Sequence, residues 1–546
     1  MVTAPIEARQ RDYRWTVVFT CQTNFMKKIQ QRLRELPPQT LKGIRRGIEK
    51  EGLRVRPDGT LDVTPHPAAL GSALTHPHIT TDFSESQLEL ITGVHTSVEA
   101  CLEELKHIHQ FVYRNIGDSA LWCASMPCYL PVEDAIPIGR YGSSNIGRLK
   151  TIYRIGLAHR YGRHMQTISG LHYNFSLPES VWPLPGLGDP SDAYFALIRN
   201  FRRHAWLLMY LFGTSPSVCA SFVKGRDHKL QELKTGTLYL PYATSLRMGR
   251  LGYLSEAQDS LAVSYNNLES YTDSLFDALT KPYHPYEAIG IRNGRDASNP
   301  VDQYRQLATS LLQMENEFYS TIRPKRVTRP TERPLHALRE CGVEYIEVRA
   351  MDLDPYSPVG IAAETIRFLD IFLLHCLLSD SPPDTPQEID AIGHNKQWVA
   401  ARGREPGLRL DRQAQKVELQ QWAGQVLSEC VPIATALDAV HGGSAHGEAL
   451  AAATAALDAP NSVPSARVLS EMDSRFDGSH GRFARAYSLQ HRNTLQGEPL
   501  PVAAHERFTH MALESLEKQR EIEAADKIPF ETYRQQYLSQ DLLKAG

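Results

Sequence analysis

Residues 44–55 read IRRGIEKEGLRV. Ile48, Leu53 and Val55 are apolar, and between them Glu49 and Glu51 stand two residues apart. On a strand, residues i and i+2 point to the same face. The spacing therefore predicts a strand over 48–55 with two carboxylates side by side, closed by the turn PDGT at 57–60. Like charges so placed repel, so the face is either open to water or holds a cation.

Three more segments alternate in the same way. In SQLELITGVH, 86–95, Gln87, Glu89 and Ile91 alternate with Leu88, Leu90 and Thr92. SGLHYNFSL puts His172 and Asn174 on one face and Leu171, Tyr173 and Phe175 on the other. VEYIEVRAMDL sets Ile346 and Val348 against Tyr345, Glu347 and Arg349. Helical periodicity marks residues 96–117 and 192–213, and the apolar run FLDIFLLHCLL from Phe368 reads as a buried helix. It carries Asp370 and His375 and is too short to cross a bilayer. An Ala-rich segment at 447–459 and a charged one toward the end read as helices. The pattern predicts an α+β fold: a curved, mainly antiparallel sheet with one polar face and helices on the other.

Glu49, Glu51, Glu89, His172 and Glu347 thus occupy polar faces of separate strands, and Asp82 lies just before the second. Each strand alone is compatible with a solvated outer face. Together, five carboxylates and one imidazole form a hard donor set suited to Mg²⁺ or Mn²⁺ rather than zinc. Magnesium in such company implies phosphate. GSSNIG at 142–147 has P-loop glycine spacing, but Arg148 and Leu149 replace the Lys-Ser/Thr pair, which excludes that motif. HERFTH at 505–510 spaces its histidines five apart, one too many for a zinc-protease helix. The basic segment IRPKR, 322–326, with Arg323 and Lys325, is either a phosphate contact or a solvated loop.

The chain has 546 residues, a net charge of -3, 42% hydrophobic and 22% charged residues. That balance fits a globular protein with a large core and lacks the basic footprint of a nucleic-acid binder. Eight cysteines stand singly, the nearest pair being Cys123 and Cys128, which predicts reduced thiols and a cytoplasmic location. Residues 1–25 lack a signal-peptide core and read as a disordered extension, before a helical pattern that starts at Met26. A catalytic core over 26–360 and a mainly helical part of the same domain over 361–546 complete the expected organisation.

Longer segments carry a family resemblance: LKGIRRGIEKEGLRV, HPAALGSALTHPHITTDFSESQLELIT, SMPCY, YGSSNIGRLKTIYRIGL, RYGRHMQTISGLHYNFSLP, YLPYATSLRMGRLGY, QMENEFYSTIRPKR, VEYIEVRAMDLDPYSPVG, GREPGL and PSARVL. In this order, from about residue 41 to 470, they resemble the proteobacterial type of glutamate–cysteine ligase, which catalyses the first step of glutathione synthesis. Residues 1–25 have no counterpart, and 441–462 match only loosely.

The resemblance implies a glutamine synthetase-like fold. It also implies ATP-dependent joining of the glutamate γ-carboxylate to the cysteine amine through a γ-glutamyl phosphate. Its metal ligands map to Glu49, Glu51, Asp82, Glu89, His172 and Glu347, the set the alternation singled out. Arg154 and Arg349 become contacts of the transferred phosphate, and Arg247 the anchor of the glutamate carboxylate. Tyr153, Tyr253 and Tyr319 line the cysteine pocket, and Arg323 and Lys325 face ATP. A monomer, inhibited by glutathione and bound to neither membrane nor nucleic acid, is the implied form. The alternatives are a ligase for another amine, a metal-dependent phosphotransferase or hydrolase, and a non-enzymatic relative.

Overall fold

The computed structural model describes residues 27–234, 236–252, 256–259, 261–293, 300–329 and 332–544. The predicted N-terminal extension and Tyr253 lie outside the described residues. Among the described residues twelve strands build three sheets: β1 (Arg45–Val55), β2 (Ile79–Thr81), β3 (Gln87–Ile91), β4 (Ala120–Leu121), β5 (Leu171–Ser176), β6 (Ser217–Cys219), β7 (Gln231–Lys234), β8 (Thr237–Tyr239), β9 (Ile322–Lys325), β10 (Tyr345–Met351), and the separate hairpin β11 (Arg409–Arg412) and β12 (Gln415–Glu418). The main sheet runs β2–β3–β1–β5–β10–β9, antiparallel throughout, with β4 on the far end of β1. The order β6–β8–β7 makes a small second sheet.

Register places the polar residues together. Glu51 stands opposite Glu89, Glu49 opposite His172, and Glu347 opposite both Asn174 and Arg323. Between Val348 and Met351 the pairing with β5 slips, so Arg349 sits in a bulge. Bulges beside active sites re-aim side chains.

Ile48, Leu88, Leu90, Leu171, Tyr173, Phe175, Ile346 and Val348 fill the opposite face, fully buried. Helices Val98–Asn115, Pro190–Phe212 and Ala363–Leu378 share a core with that face. Several helices beyond residue 360 contribute to this same core, with Leu373, Leu427 and Leu457 among its members, whereas Val468, Met472, Phe483 and Phe530 pack in a second cluster with Leu53 and Trp122. Two cations also lie on this apolar face. Arg46 pairs with Asp370 at 3.0 Å, and Tyr173 donates to the same carboxylate at 2.6 Å. Lys50 Nζ lies 3.1 Å from His109 Nε2.

Several expectations are corrected in detail. β1 begins at Arg45 rather than at 48, and the second strand covers only 87–91 of 86–95. IRPKR is strand β9 rather than a solvated loop. GSSNIG is a helix start: Ser144 caps Asn145–Tyr161, its hydroxyl accepting from Gly147 N at 3.2 Å. The thiols are not all free, because Cys128 is joined to Cys219, 91 residues away, while Cys123 is buried and unpaired. The sequence spacing suggested reduced thiols; the fold brings Cys219 within 5.2 Å of Cys128 between Cα atoms.

Candidate active site

The polar face of the main sheet gathers donors from four strands. Glu49 Oε2 lies 3.2 Å from His172 Nδ1, and Glu49 Oε1 accepts from Asn174 Nδ2 at 2.8 Å. His172 Nε2 is 3.7 Å from Glu51 Oε1, and its Nδ1 is 3.7 Å from Glu347 Oε1. Two triads share the imidazole, Glu49–His172–Glu347 and Glu51–Glu89–His172, with all donor atoms of each within 4.8 Å. Asp82 leaves β2 beside them; its carbonyl accepts from Arg154 Nε and, at 3.0 Å, from Tyr141 Oη. Five of the six expected ligands therefore converge, although they span residues 49 to 347, and the sixth, Asp82, lies near enough for its charge to act on Glu51 and Glu89.

The cluster is electrostatically divided. Burial, and then the Asp82 carboxylate, push Glu51 up to about 8. Burial, with Glu49, Asp82 and Glu51, pushes Glu89 well above the carboxylate range. Burial opposes ionisation of Glu347 too, but Lys325, Arg349 and His172 outweigh it and hold its carboxyl well below the usual value. Against its own burial, Glu49 is held low by the hydrogen bond with His172. Burial and Arg349 lower His172, which keeps the imidazole neutral and able to ligate. On the Glu51–Glu89 side carboxyls crowd one another and are held protonated in the absence of a cation, and His172 Nε2 is buried without a hydrogen bond. Carboxylate oxygens with one imidazole fit a hard divalent cation such as Mg²⁺ or Mn²⁺, which Glu49, Glu51, Glu89, His172 and Glu347, with Asp82 beside them, could hold.

Cations frame the cluster. Arg349 Nη1 is 3.3 Å from Glu347 Oε2 and 3.4 Å from His172 Nδ1. Lys325 Nζ is 3.3 Å from Glu347 Oε1. Arg323 donates to the carbonyls of Phe318 and, at 3.0 Å, Asn316, so it also ties down the loop before β9. Arg154 stands on the helix Asn145–Tyr161 with its guanidinium 4.4 Å from the Tyr141 ring centroid.

Beside Arg349 opens a small, narrow cleft lined by Arg247, Met248, Tyr319, Ser320, Thr321, Arg349 and Lys396. Arg247 is fully buried and donates to the Arg349 carbonyl at 3.0 Å. Its turn is anchored by Asp352, which accepts from Ser245 Oγ at 2.9 Å and from Thr214 N at 2.9 Å. Tyr319 Oη accepts from Gln166 Nε2 at 2.8 Å at the cleft wall. Tyr153 does not join this lining; it is buried one residue before Arg154, with its ring 5.9 Å from that guanidinium.

Sequence reasoning missed three contributors. Gly170 N–H donates to Glu51 Oε2 at 2.7 Å, and a methyl on its Cα would overlap the Arg247 guanidinium. Asn174 was visible on the face of His172 but was not assigned to the site. Lys396 reaches the cleft from the helix Pro386–Arg402, and nothing in its local sequence announces it.

Known proteins share this arrangement over nearly the whole chain. The family described as glutamate–cysteine ligase matches residues 29–399. A glutamate–cysteine ligase from Alcanivorax borkumensis is 47% identical over 525 residues, covering 94% of this chain and 99% of the relative. One from Azotobacter vinelandii is 50% identical over 499 residues, covering 89% and 93%. The crystal structure of a glutamate–cysteine ligase from Francisella tularensis in complex with AMP superimposes with a TM-score of 0.85 at 35% identity, covering 91% of this chain and 97% of that one. Match length, identity and fold agree: the chain belongs to the glutamate–cysteine ligase family.

Proposed function

We propose that the protein is an ATP-dependent ligase that joins the γ-carboxylate of L-glutamate to the amine of L-cysteine. The products are γ-glutamylcysteine, ADP and phosphate, and the reaction opens glutathione synthesis. The observation that carries this reading is the meeting of a five-residue cluster of metal-ligating side chains with an arginine-lined cleft through Arg349, which touches both.

Amide formation in water is uphill, so the carboxylate must first be activated. Its oxygen attacks the terminal phosphorus of ATP, ADP leaves, and the acyl phosphate remains. The cysteine amine then attacks the acyl carbon and phosphate departs. Phosphoryl transfer is chiefly positioning and charge neutralisation. Mg²⁺ bound by the six ligands would neutralise phosphate oxygens. Arg349 and Arg154, on opposite sides of the carboxylates, supply fixed positive charge to the phosphoryl group in flight. Lys325 and Arg323 extend that field along β9 toward ATP. Arg247 offers a planar fork that matches a carboxylate, and Tyr319 walls the cysteine side. Glutathione contains both halves of the product and would compete for the same cleft, which supports feedback inhibition. All donors come from one chain, which supports a working monomer, and the metabolites it uses support a cytoplasmic location.

The test compares ADP formation with glutamate alone, cysteine alone and both. Glutamate alone should give slow ADP release with an equal amount of 5-oxoproline, because the α-amine of an escaped γ-glutamyl phosphate closes a five-membered ring. Cysteine should divert the flux to the dipeptide and speed it strongly. Rapid ADP release with neither lactam nor dipeptide would replace the ligase reading with a phosphotransferase or hydrolase.

A further inference from the structure

Among the described residues, three groups of side chains bring metal-ligating atoms together, and one of them shares nothing with the catalytic cluster. His204 belongs to the helix Pro190–Phe212, and His375 and Cys376 to Ala363–Leu378. One donor atom from each lies within 4.8 Å of the other two. We infer that His204, His375 and Cys376 form a second metal site of the imidazole- and thiolate-binding kind that takes Zn²⁺.

Three features support it. The donor chemistry is soft where that of the catalytic cluster is hard, so the two sites select different ions. Around tetrahedral zinc, donors stand roughly 3.3 to 3.8 Å apart given its bond lengths, so a contraction of about 1 Å closes the group. Glu429 Oε2 lies 2.9 Å from His375 Nε2. A carboxylate accepting the proton of one ring nitrogen leaves the lone pair on the other, the arrangement that orients metal-ligating histidines. The His204 ring is set by Trp422, edge-on at 5.9 Å between centroids, and faces the His375 ring at 5.8 Å.

Access comes from a large cleft among the helices, whose lining includes His204, Trp422 and Glu429. Three protein ligands leave a fourth position for water entering from that side. Cys376 is completely buried, and its thiol is held well above the usual range by burial and by Cys430. Metal binding therefore displaces a proton from sulfur.

The experiment uses the full-length protein with Mg²⁺ in excess, so that the acidic cluster is engaged, and titrates Co²⁺ as the probe. A near-ultraviolet thiolate-to-Co²⁺ charge-transfer band should grow and saturate at one equivalent. Cys376→Ser should abolish it, His204→Ala should weaken apparent affinity at least about tenfold, and Cys341→Ser, at an exposed thiol, should leave it intact. X-ray absorption of the zinc-loaded wild type should show one sulfur in the first shell, a result that needs no variant to fold. No band at one equivalent, a band that survives Cys376→Ser, or a first shell without sulfur would overturn the site.

Discussion

Replacing Glu51 by glutamine should stabilise the metal-free protein, and by more the higher the pH. Glu51 titrates at about 8 in the fold against 4.5 for the ordinary side chain. Between those values the native state holds a proton that the unfolded chain has released. The stability belonging to this carboxyl is thus fully present below about pH 4.5 and is lost as pH rises through about 8. Within the window the loss approaches about 1.4 kcal/mol per pH unit. Glutamine keeps an oxygen for the Gly170 N–H and has nothing to ionise. The variant should therefore gain on the wild type by on the order of 2 to 3 kcal/mol between pH 5.5 and 7.5. For 546 residues that widens the gap in Tm by roughly 2 to 3 °C. Neighbouring groups do not reverse the sign: Glu89 is raised as well, while Glu49 and Glu347 are lowered and act below the window. His172 is lowered, so it adds stability as pH rises toward 6.5, but it does so in both proteins. The assay is thermal unfolding of both proteins in chelator at several pH values, then with Mg²⁺, which should raise the Tm of the wild type more. A gap in Tm that stays flat from pH 5.5 to 7.5 would refute the crowded-carboxylate account.

Three further outcomes follow from the geometry. Glu347→Gln should lower turnover by about two orders of magnitude or more. It should also destabilise the metal-free protein, since the carboxylate anchors Lys325 and Arg349; unchanged turnover at saturating Mg²⁺ would remove it from the site. Gly170→Ala should displace Arg247 and raise the KM for glutamate at least about tenfold, more than that for ATP; an unshifted KM would free Arg247 from the glutamate role. Asp370→Asn leaves Arg46 and Tyr173 without their buried anion and should cost about 3 to 5 kcal/mol in urea unfolding, whereas a loss under 1 kcal/mol would show that water compensates the pair.

How far the site could be read in advance depended on which physical signal each residue leaves. Alternation on a half-buried strand exposes Glu49, Glu51, Glu89, His172 and Glu347 directly, because a carboxylate on every second residue is conspicuous between Ile48 and Leu53 or Ile346 and Val348. The same rule hides Arg46 and Lys50. They stand on the apolar face, and only Asp370 and His109, from distant helices, make that tolerable. Roles for Arg154, Arg247 and the tyrosines left no pattern and entered through resemblance alone. Gly170 acts by lacking a side chain beside Arg247, a relation between segments that local sequence does not encode. The Cys128–Cys219 bond is of the same type: pairing is decided by which segments meet, here a loop and a strand, not by spacing.

The strand order also constrains how the chain becomes active during its own synthesis. β5 lies between β1 and β10, yet β10 leaves the ribosome about 170 residues after β5. At roughly 5 to 20 residues per second one edge of β5 waits on the order of ten to thirty seconds for its neighbour. Throughout that interval Glu49, Glu51 and His172 lack Glu347, and Arg349 has not been made. A nascent chain can hold the first carboxylates but cannot yet offer phosphate its arginine from β10. On the proposed reading, consumption of ATP is thus delayed until the cleft assigned to the amino acids can also form, and the unpaired edge of β5 is where a truncated or stalled chain is most exposed to aggregation.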